Sequence, residues 1–243
     1  MTTTAPTRPT TRTPHDPTRS HARASGLFYL LTFAASIPAW LLLDPILTDP
    51  GYIVGPGQDG QVVTACLLDF VNALAGIGSA VAIYPVARRV SHARALGFVM
   101  TRMVEAAIIM IGVVALLTVV TLRQDVAGAA ADATALTVTG QSLVEARNWT
   151  FLFGPGFMAG FNALMFAGLL WRSRLVPRWI PTLGLIGAPL LLTADVLNVF
   201  GVGTQGAGWS MLLTLPIATW ELSVGFFMTF KGFRREGVES LAR

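Results

Sequence analysis

Charged side chains are scarce in this sequence. Asp, Glu, Lys and Arg make up 12% of its 243 residues, whereas they make up roughly a quarter of an ordinary soluble domain. Hydrophobic residues make up 53%, and the mean hydropathy is +0.61. This balance excludes an ordinary soluble domain and predicts an all-α integral membrane protein, because helices satisfy their own backbone hydrogen bonds inside a bilayer.

Histidine and cysteine are also few, and their positions exclude several kinds of active site. His15, His21 and His92 lie outside the predicted membrane spans, and Cys66 is the only cysteine. No span therefore offers the imidazole that a buried zinc site, a haem or a Ser-His protease needs. The sequence also lacks a GxxxxGK[ST] phosphate loop. We expect no cofactor, no metal site and no catalytic residue.

Six charge-poor intervals reach the length of about 20 residues that a membrane-spanning helix needs. The glycine-rich segment GVGTQGAG, residues 201–208, predicts a loop that divides the last apolar stretch. We predict a single six-helix domain over residues 25–235. A Thr-, Pro- and Arg-rich tail at 1–24 is predicted to be disordered, and a short tail follows at 236–243. The spans are predicted near residues 25–43, 62–86, 96–121, 150–171, 182–200 and 209–230.

The distribution of Lys and Arg predicts the orientation of the helices, because cytoplasmic segments retain positive charge. One side of the predicted spans has only Arg123 and Arg147. The other side has Arg8, Arg12, Arg19, Arg23, Arg88, Arg89, Arg94, Arg172, Arg174, Arg178, Lys231, Arg234, Arg235 and Arg243. Both termini are therefore predicted to be cytoplasmic. This topology accounts for the pI of about 10.0, so no nucleic-acid partner is expected.

Two predicted spans contain an acid and an amide one helical turn apart. In LLDFVNALAGIG, residues 67–78, these are Asp69 and Asn72, and Asp195 and Asn198 repeat the spacing. Residues three apart share a helix face, so each amide is placed to pair with its neighbouring carboxyl. The simplest interpretation is structural, as polar contacts between helices. A weaker alternative is that Asp69 and Asp195 form a carboxyl pair that shares a proton, as in aspartic proteases. The GxGD motif of intramembrane aspartyl proteases is absent from the sequence.

Arg102, Glu105 and Glu221 are the remaining charged residues within the predicted spans. Charged groups at bilayer depth cost roughly 2.5–3.5 kcal/mol each on insertion scales, so they usually face the bundle interior and have partners. We predict that Arg102 points inward, within hydrogen-bonding reach of Glu105, Glu221 or both, and keeps at least one of them ionised. The alternative is that Arg102 extends to the lipid headgroups. Together with the two Asp–Asn pairs, these residues define a hypothetical polar seam that could move a proton, an ion or a small solute.

The segment between Arg123 and Arg147 is long for a bundle connection. In ALTVTGQSLVEARNW, residues 135–149, the hydrophobic residues Leu136, Leu143 and Val144 recur at near-helical spacing. We therefore predict a short helix that lies on the outer face of the bundle.

Several phrases of the sequence resemble the bacterial domain of unknown function 4386 family. They are ASGLFYLLTFAASIPAWLLLDPIL at 24–47, DFVNALAGIGSAVAIYPVARR at 69–89, TLRQD at 121–125, SRLVPRWIPTLGLIGAPLLL at 173–192 and WELSVGFFMTFKGF at 220–233. The resemblance covers about residues 24–235. It implies a multi-pass protein of a bacterial plasma (inner) membrane and supplies no activity and no catalytic residue.

Three functions stay open at this point. A structural or accessory membrane protein is the leading interpretation, a small-solute or proton-coupled carrier that uses the polar seam is the alternative, and a membrane enzyme is third. The partners expected are the lipid bilayer, a small solute or proton, and another membrane protein or a second copy of the chain.

Overall fold

The computed structural model describes residues 17–125, 132–203 and 208–241, which form a bundle of long helices with no β-strand in these ranges. Six helical segments of this described chain are long and apolar enough to cross a membrane, as the sequence predicts. The helices are α1 (Pro17–Leu42), α2 (Asp44–Thr48), α3 (Asp59–Val90), α4 (His92–Asp125), α5 (Ala133–Phe151), α6 (Ala159–Ser173), α7 (Trp179–Val199), α8 (Gly208–Phe226) and α9 (Arg235–Ser240). π-helical turns at Leu152–Met158 and Phe227–Lys231 follow α5 and α8.

Helix α1 begins earlier than the predicted first span. Residues 17–24, the last part of the predicted disordered tail, are helical, and residues 1–16 lie outside the described residues. Tertiary contacts hold these first turns: the His21 Nδ1 lies 2.9 Å from the carbonyl oxygen of Ala82 on α3. The composition of the tail gave no sign of such contacts.

The fourth span is part of a continuous helical segment of 41 residues, Ala133–Ser173. At ~1.5 Å per residue it is about 60 Å long, twice the thickness of a hydrocarbon core. The prediction of a helix at 135–149 is confirmed, but this helix is not a short element on the outer face, because it is the first part of the longer helical segment. Its apolar residues pack against α4, and the chain continues into the span through the π turn at Leu152–Met158, which contains Pro155.

The membrane helices form a ring in which each packs against its neighbours. Helix α1 packs on α3, α3 on α4, α4 on α5 and α6, α6 on α7, α7 on α8, and α8 on α1. The α1–α8 contact is very close at Gly26, where a Cβ atom would lie 2.8 Å from the carbonyl oxygen of Gly225 on α8 and 2.6 Å from the backbone nitrogen of Thr229 in the following π turn. Small residues at such crossings let two backbones approach.

Opposite ends of the bundle have different charge. The loops between α3 and α4 and between α6 and α7 lie at the same end as the C-terminal segment, where the Arg234 N–H donates to the carbonyl of Leu175 over 2.8 Å. We call this the basic end, and its cytoplasmic location remains a prediction. At the other end, the distal end, Arg123 Nη1 lies 2.6 Å from Asp59 Oδ2. The Tyr52 hydroxyl donates to Asp59 Oδ1, and burial, followed by the charge of Asp59, raises the pKa of Tyr52 to about 12.

The apolar interior is divided into two clusters of buried residues. The basic-end cluster contains the stacked rings of Phe98 and Phe166, whose centroids are 4.7 Å apart, together with Tyr29 and Trp220. The distal cluster is built mainly from aliphatic residues of α3 and α4, such as Val62 and Leu116.

Candidate functional site

Arg102 of α4 is the centre of a buried ion-pair cluster. Its Nη1 lies 2.9 Å from Glu105 Oε2, and its Nη2 lies 3.2 Å from Glu221 Oε1 of α8. Arg102 is only 4% exposed. The prediction that Arg102 points inward, within hydrogen-bonding reach of Glu105, Glu221 or both, is therefore confirmed with contacts to both acids, and extension to the lipid headgroups is excluded.

The apolar residues around Arg102 fix the direction of its side chain. The guanidinium carbon lies 5.1 Å from the ring centroid of Tyr29 and 5.8 Å from that of Phe98, within the range of a cation–π contact. Both rings belong to the basic-end cluster, which closes the interior on that side of Arg102. The guanidinium thus packs against these two aromatic rings, and its two terminal nitrogens point to carboxylates.

Asn162 of α6 completes this cluster, and sequence reasoning missed it. Its Nδ2 donates to Glu105 Oε2 over 2.6 Å, and the residue is 1% exposed. The Glu105 oxygen therefore accepts from an amide and from a guanidinium at once. A signal was available, because Asn162 is an amide in the middle of a predicted span, 150–171, that has no charge.

A second ion pair, between α3 and α5, lies toward the distal end. Arg147 Nη2 is 3.9 Å from Asp69 Oδ2, longer than a hydrogen bond. Arg147 is 6% exposed, and its guanidinium lies 4.6 Å from the ring centroid of Phe151. The assignment of Arg147 to an outer loop is therefore wrong. Because α5 continues into the span, Arg147 is carried into the bundle.

Gly112 of α4 permits this arrangement. A Cβ atom there would lie 2.5 Å from Thr150 Oγ1 and 3.4 Å from Cγ of Arg147. The missing side chain lets α5 approach α4 closely enough to bring Arg147 opposite Asp69.

The two ion-pair clusters line one cavity of about 270 Å³. Two guanidinium groups and three carboxyl groups face it, and Asn72, Thr32, Ser36 and Thr150 add neutral polar groups. The lining residues are Thr32, Phe33, Ser36, Ile37, Trp40, Asp69, Asn72, Arg102, Glu105, Ile109, Gly112, Val113, Arg147, Thr150, Phe151, Pro155, Ala159 and Glu221. Along α4 the lining runs from residue 102 to residue 113, about 16 Å at ~1.5 Å per residue, or about half of a hydrocarbon core.

The cavity reaches the surface of the bundle along α1. Ile37 and Trp40 line it, yet they are 54% and 56% exposed. The charged residues line its inner part, and the α1 residues Phe33, Ile37 and Trp40 form an apolar and aromatic wall.

The second Asp–Asn pair does not line this cavity. Asp195 of α7 is 4% exposed and lies behind the π turn, where a Cβ atom on Gly156 would be 2.7 Å from Asp195 Oδ2. Asn198 donates to Ser210 Oγ of α8 over 3.1 Å. Asp69 faces Arg147 rather than Asn72. The seam predicted from sequence is thus divided: Asp69, Asn72, Arg102, Glu105 and Glu221 share one cavity, and Asp195 and Asn198 lie elsewhere.

Metal-ligand geometry is missing in the part of the chain that the structure describes, where no three His, Cys, Asp or Glu side chains are grouped to hold an ion. Cys66 is buried in the distal cluster and has no disulfide partner.

Comparison with known proteins identifies the family. Residues 24–232 match the family model described as Domain of unknown function (DUF4386), and the chain belongs to that family. No curated protein and no solved structure matches the chain. The membrane-spanning helical bundle is thus the architecture of this family member.

Proposed function

We propose that this membrane protein is a proton-coupled carrier for a small polar solute, which binds in the cavity between the Arg102 and Asp69 clusters. The observation that carries the proposal is the open ion pair between Arg147 and Asp69. Within the described residues the only ion-pair contact of Arg147 is the 3.9 Å approach to Asp69. An arginine has five N–H donors, and those of Arg147 open on the cavity, since none of them is buried in the protein without a partner.

A purely structural role accounts for only part of the site. The Arg102 cluster has the short contacts of a stabilising network: Arg102 contacts two carboxylates, and Asn162 donates to one of them. The Arg147–Asp69 pair lacks such short contacts, because its two charged groups are farther apart than a hydrogen bond and both line the cavity. A pair that served only to join α3 and α5 would be expected to close to about 2.7–2.9 Å. A polar solute placed between them would find hydrogen-bond acceptors on Asp69 and donors on Arg147 that are not already used by each other.

The shape of the interior also fits a carrier. The cavity reaches the surface along α1, and on the basic-end side of Arg102 the stacked rings of Phe98 and Phe166 close the interior. A cavity that opens along α1 and is closed toward the basic end does not connect the two ends of the bundle, and an alternating-access cycle requires a site that never opens to both sides at once. Glu221 links the two parts, since it lines the cavity and pairs with Arg102.

The proton would be held by the carboxyl groups. Three carboxyls and two guanidiniums face the cavity, so with all groups ionised the site has one excess negative charge. Such an excess is costly in a low-dielectric interior, and either a proton or a cationic group on the solute removes it. If a proton and a cationic solute exchange at this one site, the movement of one is coupled to the movement of the other.

The experiment is uptake into proteoliposomes made with the full chain. Pools of labelled amino acids, amines, organic acids and sugars are offered under an imposed pH gradient. We expect the wild type to accumulate at least one pool, and the Glu221→Gln protein to accumulate none while it keeps its elution profile and stays folded at the assay temperature. Asp195→Asn is the matched control, because Asp195 is also a buried acid within a span but lies outside the cavity. If wild type and Glu221→Gln take up every pool equally, the carrier proposal is wrong.

A further inference from the structure

We infer that the solute is a small organic cation, an ammonium group attached to an apolar body, and that it enters the cavity sideways along α1. This inference rests on the proposed function and names the class of its substrate. Charge balance, the chemistry of the cavity wall and the size of the cavity each bear on it.

The charge of the cavity favours a cation. Arg102 already has two carboxylate partners, so it offers little to an incoming anion. An anion bound at Arg147 would also have to compete with Asp69 and would add a second excess negative charge. A monovalent cation restores neutrality, and the second oxygens of Asp69 and Glu221 offer it acceptors.

The α1 wall suits the apolar part of such a molecule. Phe33, Ile37 and Trp40 line the cavity on this side, and Trp40 is 56% exposed. An indole face is the strongest of the aromatic partners for an ammonium group. A positive group could therefore pass from Trp40 at the surface to the carboxylates within, while its apolar body stays against α1.

The location of the wall gives the route. Trp40 and its neighbours belong to a membrane-spanning helix, and their exposed faces contact lipid in a bilayer. An amphipathic cation concentrates at the lipid interface, so an opening along α1 receives it from the membrane. A volume of about 270 Å³ is slightly below the usual range of ~300–1,000 Å³ for ligand pockets, which limits the molecule to one ring or a short chain.

The test compares three probes that share a phenyl group and differ in charge: 2-phenylethylammonium, 2-phenylethanol and 3-phenylpropanoate. Binding to the purified full chain in detergent is measured by isothermal titration calorimetry against protein-free micelles. We expect measurable binding of the ammonium probe alone. We expect Glu221→Gln and Asp69→Asn each to raise its Kd by about tenfold or more, and Trp40→Leu to weaken it less. Asp195→Asn should bind as the wild type does.

The outcomes separate this inference from the carrier proposal. If the alcohol or the carboxylate probe binds as tightly as the ammonium probe, the cation assignment is wrong, and the uptake experiment still decides the carrier proposal. If no probe binds while another solute pool is taken up in a Glu221-dependent way, the assignment is again wrong and the carrier proposal holds. If the ammonium probe binds and no pool is taken up, the cation site is supported and the transport role is overturned.

Discussion

Asn162 donates a 2.6 Å hydrogen bond to Glu105 across 57 residues of sequence, and the carboxylate oxygen that accepts it also faces Arg102. The amide joins α6 to α4 and holds Glu105 in the orientation that Arg102 requires. Glu105 thus has two donors from two elements on a single oxygen, while Glu221 depends on Arg102. The amide is therefore a part of the ion-pair cluster, although it has no charge.

Replacing Asn162 with Leu is expected to lower the free energy of unfolding by about 1–3 kcal/mol, because a buried carboxylate then loses a donor and its desolvation is no longer offset. Thermal unfolding in detergent measures the effect. Asn148→Leu is the control, since among the described residues the Asn148 side chain donates one long hydrogen bond, 3.4 Å to the exposed Glu145, and its loss should change stability by less than about 0.5 kcal/mol. Equal effects of the two substitutions would show that Asn162 adds nothing specific.

The Arg102 cluster could be predicted from sequence because a buried arginine has few ways to be stabilised. An arginine stays protonated in a protein, so within an apolar span it needs acids, and Glu105 at three residues' distance is on the same helix face. The six spans follow similarly from length and apolarity. Both predictions depend on the free-energy cost of leaving a charge or a backbone polar group unpaired in an apolar environment, and tertiary packing does not override a cost of that size.

Arg147 and Asp195 could not be placed from sequence, for different reasons. Arg147 precedes a span, and its position depends on α5 continuing into that span through the π turn at Leu152–Met158. Asp195 lies on α7, a helix that is apolar on all sides, so spacing alone does not tell which face meets the centre of the bundle. The equal spacing of Asp69–Asn72 and Asp195–Asn198 therefore led to a seam that the structure divides.

Gly26→Ala is expected to destabilise the bundle by about 1–3 kcal/mol, because the added methyl group would overlap backbone atoms of Thr229 and Gly225 that cannot move aside independently. Gly60→Ala is the matched control. A Cβ atom there meets nothing within 4 Å, and alanine in a helix is favoured over glycine by about 0.5–1 kcal/mol. Melting temperatures should fall for the first variant and rise slightly or stay unchanged for the second. A fall of similar size in both would contradict the close α1–α8 crossing.

Alkaline pH should destabilise the distal end through Tyr52. Its folded pKa of about 12 lies above the value of about 10 for an exposed tyrosine, so the folded protein holds this proton more tightly than the unfolded chain. The stability from this group is therefore complete below pH ~10 and is lost as pH rises toward 12. Unfolding measured between these pH values should show a smaller loss for Tyr52→Phe than for the wild type. Identical pH profiles would exclude the effect.

Labelling of single cysteines tests the orientation in a Cys66→Ala background. Ala93 and Ala133 are both exposed and lie at opposite ends of the bundle. With both termini in the cytoplasm, Ala133→Cys should react with an impermeant maleimide in intact cells, and Ala93→Cys should react only after the membrane is opened. The reverse pattern would overturn the predicted topology and leave the fold unchanged.

The last prediction concerns the coupling between Arg102 and Glu221. Arg102→Met leaves Glu105 and Glu221 facing each other without a cation, and loss of one partner of a buried ion pair typically costs about 3–5 kcal/mol. Glu221→Gln alone should cost less, because Arg102 keeps its 2.9 Å contact with Glu105. In the double variant one of the two unpaired acids is already neutral, so the combined loss should be smaller than the sum of the single losses by at least about 1 kcal/mol. Chemical unfolding of the wild type, the two single variants and the double variant in detergent gives the double-mutant cycle.

Arg123→Met with Asp59→Asn is the comparison, since that pair lies at the distal end with side chains that are 19% and 18% exposed and should show weaker coupling. Additive losses for Arg102 and Glu221 would mean that their 3.2 Å contact does not couple the two residues, and Glu221 could then change its protonation without disturbing Arg102.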